Sequence, residues 1–339
     1  MSSSPLVSIV IPSYACANSI PAVLEGLKRQ TYSPLEILVV NDCSPDHLEE
    51  VLAPFRDQIR YLKNPHNLGL SKTYNQGLRA AQGEYVLTLH SDCVLEPDYI
   101  ARLVAHLTAD PKLGAATGRC RYVNFDELGF NEQLFTLLNR LYVDWRESDT
   151  VEEVPFIEGK ADLFRRETLE RYGYFNETLR LTSEDQDLSA KMRRDGLRLI
   201  QDNACVFTVH YNQTQDSLIK VLRKQRSYAA GQAYVLLTYG SHAVKTSTAA
   251  RNHRAMHRFL QLLTAGVLTG SLVLGLFQTA FLWVAFAVLV MRGAEYFLYN
   301  RPLPLGKRML ASAIGLAADF FYTTGLIEGT IKTLFKKKV

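Results

Sequence analysis

At 339 residues and 38.2 kDa the chain exceeds the ~150 residues of an ordinary domain, so it holds two units, or one large domain with an appendage. A hydrophobic share of 47%, a charged share of 21% and only 12 prolines exclude a disordered, collagen-like or low-complexity polymer. Within the net charge of +4, residues 251–339 hold eleven lysines and arginines against three acids, and these basic residues bracket apolar runs, which points to a membrane surface and away from nucleic acid.

The N-terminal MSSSPLVSIVIPSY has no basic leader and no long apolar stretch, so the first part of the chain is expected to stay in the cytosol. Short apolar runs at 7–11, 36–40, 59–62 and 85–89 predict buried strands, and amphipathic stretches at 19–30, 47–56 and 71–81 predict helices between them. Ser19 is placed to cap the first helix, with Pro21 in its first turn. Strand and helix alternate at βαβ spacing, which predicts an α/β, doubly wound, mostly parallel sheet covered on both faces. Cys16, Cys43, Cys93, Cys120 and Cys205 stand singly with no C-x-x-C pair, against a zinc site or a disulfide framework.

In such sheets ligands bind beyond the carboxyl ends of the strands, here Pro12-Ser13-Tyr14, Asn41-Asp42-Cys43-Ser44 and His90-Ser91-Asp92. Two of these three ends carry an aspartate. The first strand is followed by PSYACANS, with no G-x-G-x-x-G, and no Walker A loop occurs, so carboxylates and a metal are expected to hold the ligand. Residues 184–195 (EDQDLSAKMRRD) open with three close acids and predict a helix capped by Thr182 or Ser183.

These segments together resemble the family 2 glycosyltransferases, inverting enzymes of glycosyltransferase A-type fold. The resemblance runs over about residues 5–235, through VSIVIPSY, EILVVNDCSPD, NLGLSKTYNQGLRAAQGEYVLTLHSDCVLEPDYI, DLFRRETLERYGYFNETLRLTSEDQDLSAKMRRDG and VHYNQTQDSLIKVLRKQRSYAAGQ. It implies that Pro12, Tyr14 and Ser91 line a nucleotide-sugar site and that Asp42 contacts the base. Asp92 would hold Mg2+ or Mn2+ on the diphosphate, with His210 as a further metal ligand. Lys224 and Arg226 would reach the diphosphate, and Asp185 would be the general base, kept ionised by the helix dipole and nearby positive groups. Glu184 and Asp187 would serve the helix terminus or the loop around Gly159. The chain departs from the family pattern at His90 and Asn41, where an acid is usual, and at Tyr74, where an arginine is common. Read without the family, Asp42 caps its own turn, His210 is a core or surface histidine, and Lys224 and Arg226 belong to a solvated helix face.

Residues 259–291 hold no Asp, Glu, Lys or Arg in 33 positions. One helix of that length would run ~50 Å, beyond the roughly 30 Å hydrocarbon core, so it should break near Gln278-Thr279 into spans at 259–277 and 280–299. Arg251, Arg254 and Arg258 before it and Arg301, Lys307 and Arg308 after it place both ends on the cytosolic side. Asp319, Glu328 and Lys332 interrupt the apolar stretch 309–335, which predicts an interfacial helix ahead of a Lys336-Lys337-Lys338 tail; a third full span is the competing reading.

The expected organisation is a cytosolic catalytic domain over 1–250 and a membrane anchor over 251–339 at the inner or plasma membrane. The expected activity is transfer of a sugar from a nucleotide diphosphate sugar, a UDP-sugar by preference, to a hydroxyl of a glycan or lipid-linked acceptor in surface polysaccharide assembly. Two alternatives stand beside it: a polyprenyl-phosphate sugar synthase, whose phosphate nucleophile needs no base, and a non-catalytic nucleotide-sugar-binding protein.

Overall fold

In the computed structural model, which describes residues 4–122, 125–138, 149–179, 183–209, 217–240, 263–264, 266–267, 270–271 and 280–335, the four apolar runs are strands. They are β1 (Val7–Ser13), β2 (Leu35–Asn41), β3 (Arg60–Lys63) and β4 (Tyr85–Leu89), and they pair in parallel in the order β3-β2-β1-β4. Successive side chains of β1 point to opposite faces: Ile9 and Ile11 enter one apolar cluster and Val10 the other. Burial on both faces explains the unbroken apolar run. Chain order reverses at β1, which lies between β2 and β4, so the loops leaving these three strands open onto one crevice.

The rest of the sheet departs from the parallel expectation. It continues through β5 (Cys93–Leu95), β6 (Leu113–Tyr122), β7 (Val151–Glu153), β8 (Ala161–Arg165) and β9 (Arg198–Val209) in the order β4-β8-β6-β9-β5, with β7 also paired to β9. Only β6 and β9 pair in parallel there; β8 runs antiparallel to both β4 and β6. The short regular crossovers that enforce parallel pairing end after β4, and β8 is reached through a long connection that leaves its direction open.

Helices α1 (Ile20–Lys28), α2 (Leu48–Leu52) and α3 (Leu70–Ala80) are the three read from the amphipathic stretches. Ser19 precedes α1 without capping it, and its hydroxyl donates instead to the Cys16 carbonyl at 3.2 Å. α3 lies close on the sheet because Gly77 has no Cβ: one placed there would overlap Val10 and come within 2.9 Å of Val40. After α4 (Tyr99–Ala109), α5 (Phe130–Leu138) and α6 (Arg166–Tyr172) come α7 (Glu184–Arg194) and the long α8 (Leu218–Tyr239).

Beyond residue 279 the chain forms α9 (Ala280–Tyr299) and α10 (Leu305–Leu334). Both are long and apolar enough to cross a membrane, each with a mean hydropathy of 1.4 over its apolar window. The span read at 259–277 falls almost entirely outside the described residues. The interfacial helix expected at 309–335 is one continuous helix of 30 residues, and the charges that suggested an interface are paired, mostly with neighbouring helices. Asp319, 5% exposed, accepts from Arg292 of α9 at 3.0 and 3.1 Å and from the Tyr296 hydroxyl at 2.7 Å. Glu328 pairs with Lys332 at 2.7 Å and with Arg226 of α8 at 2.8 Å. An Arg fork on a carboxylate with a third donor satisfies both partners out of water, which is why these charges are compatible with an otherwise apolar helix.

α10 crosses α8 at a contact built from small residues. Gly325 and Gly329, one turn apart, face the Arg226 and Ala230 carbonyls and Ala229, so closely that a methyl on either glycine would overlap backbone. The same helix that carries Lys224 is thereby clamped to the C-terminal helix. Gly325→Ala is expected to lower stability by about 1–3 kcal/mol, read as a lower thermal unfolding midpoint of the detergent-solubilised chain. Gly306→Ala, where a Cβ meets nothing within 4 Å, should leave the midpoint unchanged.

Candidate active site

The crevice beyond β1, β2 and β4 begins with two stapled loops. Ser44 Oγ accepts from the Ala15 N–H at 2.7 Å and Asp46 Oδ2 from the Ala17 N–H at 2.8 Å, tying the loop after β2 to the loop after β1. Burial pushes the Asp46 pKa up, but hydrogen bonds from Ser44 and the Ala17 N–H outweigh it and hold the carboxyl below its usual value. Ala15 and Cys43 adopt positive φ (50° and 57°), as does Ser183 (68°) before α7, so three of the four non-glycine residues in the left-handed region among the described residues border this crevice.

Asp42 is buried and fully engaged. Oδ1 accepts from Asn64 Nδ2 at 2.7 Å and from the Leu68 N–H at 2.8 Å, and Oδ2 accepts from the Gly69 N–H at 3.0 Å. It thus anchors the loop that leads into α3. Asn41, the residue standing for a usual acid, donates to the Tyr61 hydroxyl at 2.7 Å and accepts from the Ser44 N–H at 2.8 Å.

At the end of β4 the His90 N–H donates to the Lys160 carbonyl at 2.8 Å, continuing the β4–β8 pairing by one residue. The His90 ring stacks on Tyr74 of α3 with centroids 6.2 Å apart and planes at 28°. Tyr74, buried among neighbours, directs its hydroxyl to the Gly159 carbonyl at 3.4 Å. Gly159 has φ +70°, and a Cβ there would stand 3.3 Å from the Asp185 Cβ. One aromatic side chain therefore spans the distance between the His90–Asp92 end and the Asp185 end of the crevice.

Asp185 lies in the first turn of α7, whose N-cap Ser183 makes no side-chain cap bond. Its Oδ1 accepts from the Gln186 N–H at 2.8 Å. The expectation that positive groups keep it ionised is reversed in the structure. Burial first, and then the neighbouring charge of Glu184, push the Asp185 pKa well above the usual carboxylate range, with Asp162 and Glu158 adding to the rise. Glu184 is buried with Oε2 unpartnered, and burial raises its pKa against the pull of Lys224.

The sequence reading overlooked Asp162. It sits on β8 at 0% exposure, and neither carboxylate oxygen has a hydrogen bond of good geometry, although the Thr117 hydroxyl and the Gly159 N–H are near enough to lower its pKa. Burial pushes its pKa up to about 7. The signal was present in ADLFR, a carboxylate inside an apolar strand, which is rare unless the group has a task.

Pro12 is buried as part of β1, Tyr14 is 50% exposed at its mouth, and Ser91 hydrogen-bonds the Cys16 side chain. Lys224 is on the crevice side of α8, where its charge acts on both His90 and Glu184. Arg226 is not: two residues further on a helix is ~200° around the axis, and its guanidinium is committed to Glu328. His210 lies outside the described residues. Asp187, expected to serve the helix terminus or the loop around Gly159, instead accepts from the Tyr239 hydroxyl at 2.7 Å, binding α7 to α8, and pairs with Lys191 at 2.7 Å.

His90, Asp92 and Cys93 bring an imidazole nitrogen, a carboxylate oxygen and a thiol within 4.8 Å of one another. A carboxylate beside an imidazole fits a divalent cation. The Cys93 thiol is fully buried, 3.5 Å from Asp92 Oδ1, and burial pushes its pKa well up, so it supports Asp92 as a neutral donor.

Residues 8–173 match the model of glycosyl transferase family 2. An uncharacterized glycosyltransferase of Haemophilus influenzae is 32% identical over 119 residues, 34% of this chain and 36% of that protein. A poly-beta-1,6-N-acetyl-D-glucosamine synthase of Staphylococcus epidermidis is 24% identical over 188 residues, 55% of this chain and 45% of that protein. The matches thus span less than half the length of these curated relatives. Among solved structures, a mannosyltransferase of Pyrobaculum calidifontis in complex with GDP-Man and Mn2+ aligns with a TM-score of 0.55 at 20% identity, over 99% of this chain and 89% of that one. TarS 1-349 of S. aureus aligns with a TM-score of 0.53 at 16% identity, over 98% and 92%.

The buried Asp162 makes a prediction about stability. Its folded pKa lies above its unfolded one, so its contribution to stability is fully present below pH ~4 and is lost as the pH rises through about 7. Asp162→Asn should flatten the pH dependence of the unfolding midpoint between about pH 4 and 7, removing a loss of up to roughly 4 kcal/mol across that range. A midpoint profile parallel to that of the unmodified chain would contradict it.

Proposed function

Since the chain is a family 2 glycosyltransferase of glycosyltransferase A-type fold, we propose that it transfers a sugar, with inversion, from a nucleotide diphosphate sugar to an acceptor hydroxyl. A UDP-sugar is the expected donor, and a glycan or lipid-linked intermediate of surface polysaccharide assembly is the expected acceptor. The observation that carries this reading is the line Asp92–His90–Tyr74–Gly159–Asp185, which sets a cation-binding carboxylate and a base candidate at two ends of one crevice.

In this reading the nucleotide enters between the stapled loops, with Pro12 and Tyr14 beside it and Asp42 holding the loop that closes over the base. Asp92 would hold Mg2+ or Mn2+, which supplies neutralisation of the diphosphate when bound. Lys224 adds positive charge from the α8 side. Asp185 accepts the proton of the acceptor hydroxyl, and its raised pKa strengthens it as a base at the cost of requiring a higher pH to be free. The two apolar helices and their basic flanks support a place at the cytosolic face of the inner or plasma membrane, where a lipid-linked acceptor is presented.

Release of nucleotide from a panel of nucleotide sugars, with acceptor and divalent metal, tests the activity. Asp185→Asn should cut turnover by about 10²-fold or more with little change in donor affinity, whereas Asp187→Asn should lower the unfolding midpoint and spare turnover. The acidic limb of the kcat profile should lie well above the ~4 of an ordinary aspartate, activity rising with pH as Asp185 ionises. Near-normal turnover of Asp185→Asn with a hydroxyl acceptor would move the base elsewhere. Excess chelator should abolish activity.

A further inference from the structure

We propose that His90 is itself a nitrogen ligand of the divalent cation at Asp92, and that this shifts the site's preference from magnesium toward manganese and the later first-row ions. The inference rests on the reading of Asp92 as the cation carboxylate and goes beyond it in assigning a second ligand and a metal selectivity.

Three observations carry it. A His90 ring nitrogen and an Asp92 carboxylate oxygen are among the three ligand atoms that lie within 4.8 Å of one another, close enough for both to serve one ion. The imidazole is already oriented: its backbone is pinned to Lys160 and its ring rests on Tyr74, so little side-chain entropy is lost on coordination. Neither ring nitrogen has a hydrogen-bond partner among the described residues, whereas the nearby Cys93 thiol is oriented toward Asp92. The half-buried ring is thus held over the crevice with its polar atoms unused.

Chemistry sets the direction of the selectivity. Magnesium demands near-ideal octahedral oxygen ligation and parts with water reluctantly, while imidazole binds first-row transition ions well. Replacing a carboxylate by an imidazole therefore weakens the site for magnesium more than for manganese, cobalt or zinc.

The test uses the detergent-solubilised full chain with UDP present, and its readout is binding rather than turnover. Free Mn2+ is counted by electron paramagnetic resonance, Mg2+ affinity is obtained by displacement of Mn2+, and pulsed measurements report nitrogen directly coordinated to the bound Mn2+. The unmodified chain should prefer Mn2+ over Mg2+ and show a coordinated imidazole nitrogen. His90→Asp should reduce that preference by about tenfold or more, and both His90→Asp and the neutral His90→Gln should lose the nitrogen signal, with unfolding midpoints confirming that each variant is folded. If the nitrogen signal survives in His90→Gln, or the Mn2+/Mg2+ ratio is unchanged in His90→Asp while Asp92→Asn abolishes binding, the inference fails and Asp92 keeps its role. If Asp92→Asn binds both ions as the unmodified chain does, the cation reading of Asp92 fails and His90 falls with it.

Discussion

The antiparallel pairing of β8 with β4 is the contact on which the crevice depends. Its register, Leu89 opposite Ala161 and Thr88 opposite Asp162, carries on into the bond from the His90 N–H to the Lys160 carbonyl. Lys160 meets His90 through that pairing, and Gly159 and Glu158, just before it in the chain, are brought to Tyr74 and to the acids around Asp185. Side chains alternate along a strand, so a slip of one residue would turn Asp162 to the opposite face and withdraw Gly159 from Asp185. Gly159 then provides what no other residue offers without strain, a left-handed backbone with no Cβ in the way of α7.

Electrostatics divides the acids of this region into two kinds. Asp42 and Asp46 receive backbone N–H groups and serve to hold loops in place. Asp162, Glu184 and Asp185 are gathered in low dielectric, and burial raises the pKa of each beyond what their few hydrogen bonds offset. Carboxylates kept this close without compensating hydrogen bonds cost stability, a pattern expected where a site awaits positive charge or a proton from a ligand. Lys224 reaches both ends of the region, acting on Glu184 and on His90, and Lys160 acts on Asp162 and on His90.

The C-terminal helices are bound into the same arrangement. Arg226 and Lys224 lie on different faces of α8, so one turn of helix serves two surfaces: Lys224 looks to the crevice and Arg226 to Glu328 of α10. With Gly325 and Gly329 seated against the α8 backbone, the position of Lys224 is tied to the apolar helices. Whatever sets the depth of α10 in a membrane would thereby be felt at α8.

Local sequence was sufficient for the features that depend on local physics. Apolar runs of strand length placed β1 to β4, amphipathic spacing placed α1, α2 and α3, the acids opening 184–195 placed α7, and the strand-end rule directed attention to Asp42, His90 and Asp92. A run of 33 uncharged residues marked an apolar C-terminal region in the same way. Tertiary structure alone decided what depends on pairing between distant segments. It set the direction of β8, the burial of Asp162, and the parting of Lys224 from Arg226 by helix rotation. It also set the direction in which the Asp185 pKa moves, upward through burial first and then the neighbouring Glu184, with Asp162 and Glu158 adding to it. The charges in α10 were misleading for the same reason: Asp319 reads as polar in a linear scan and is neutralised by Arg292, 27 positions away in sequence and 3.0 Å away in space. Sequence patterns report which surface a residue needs to meet, and only the closed fold supplies the partner that meets it.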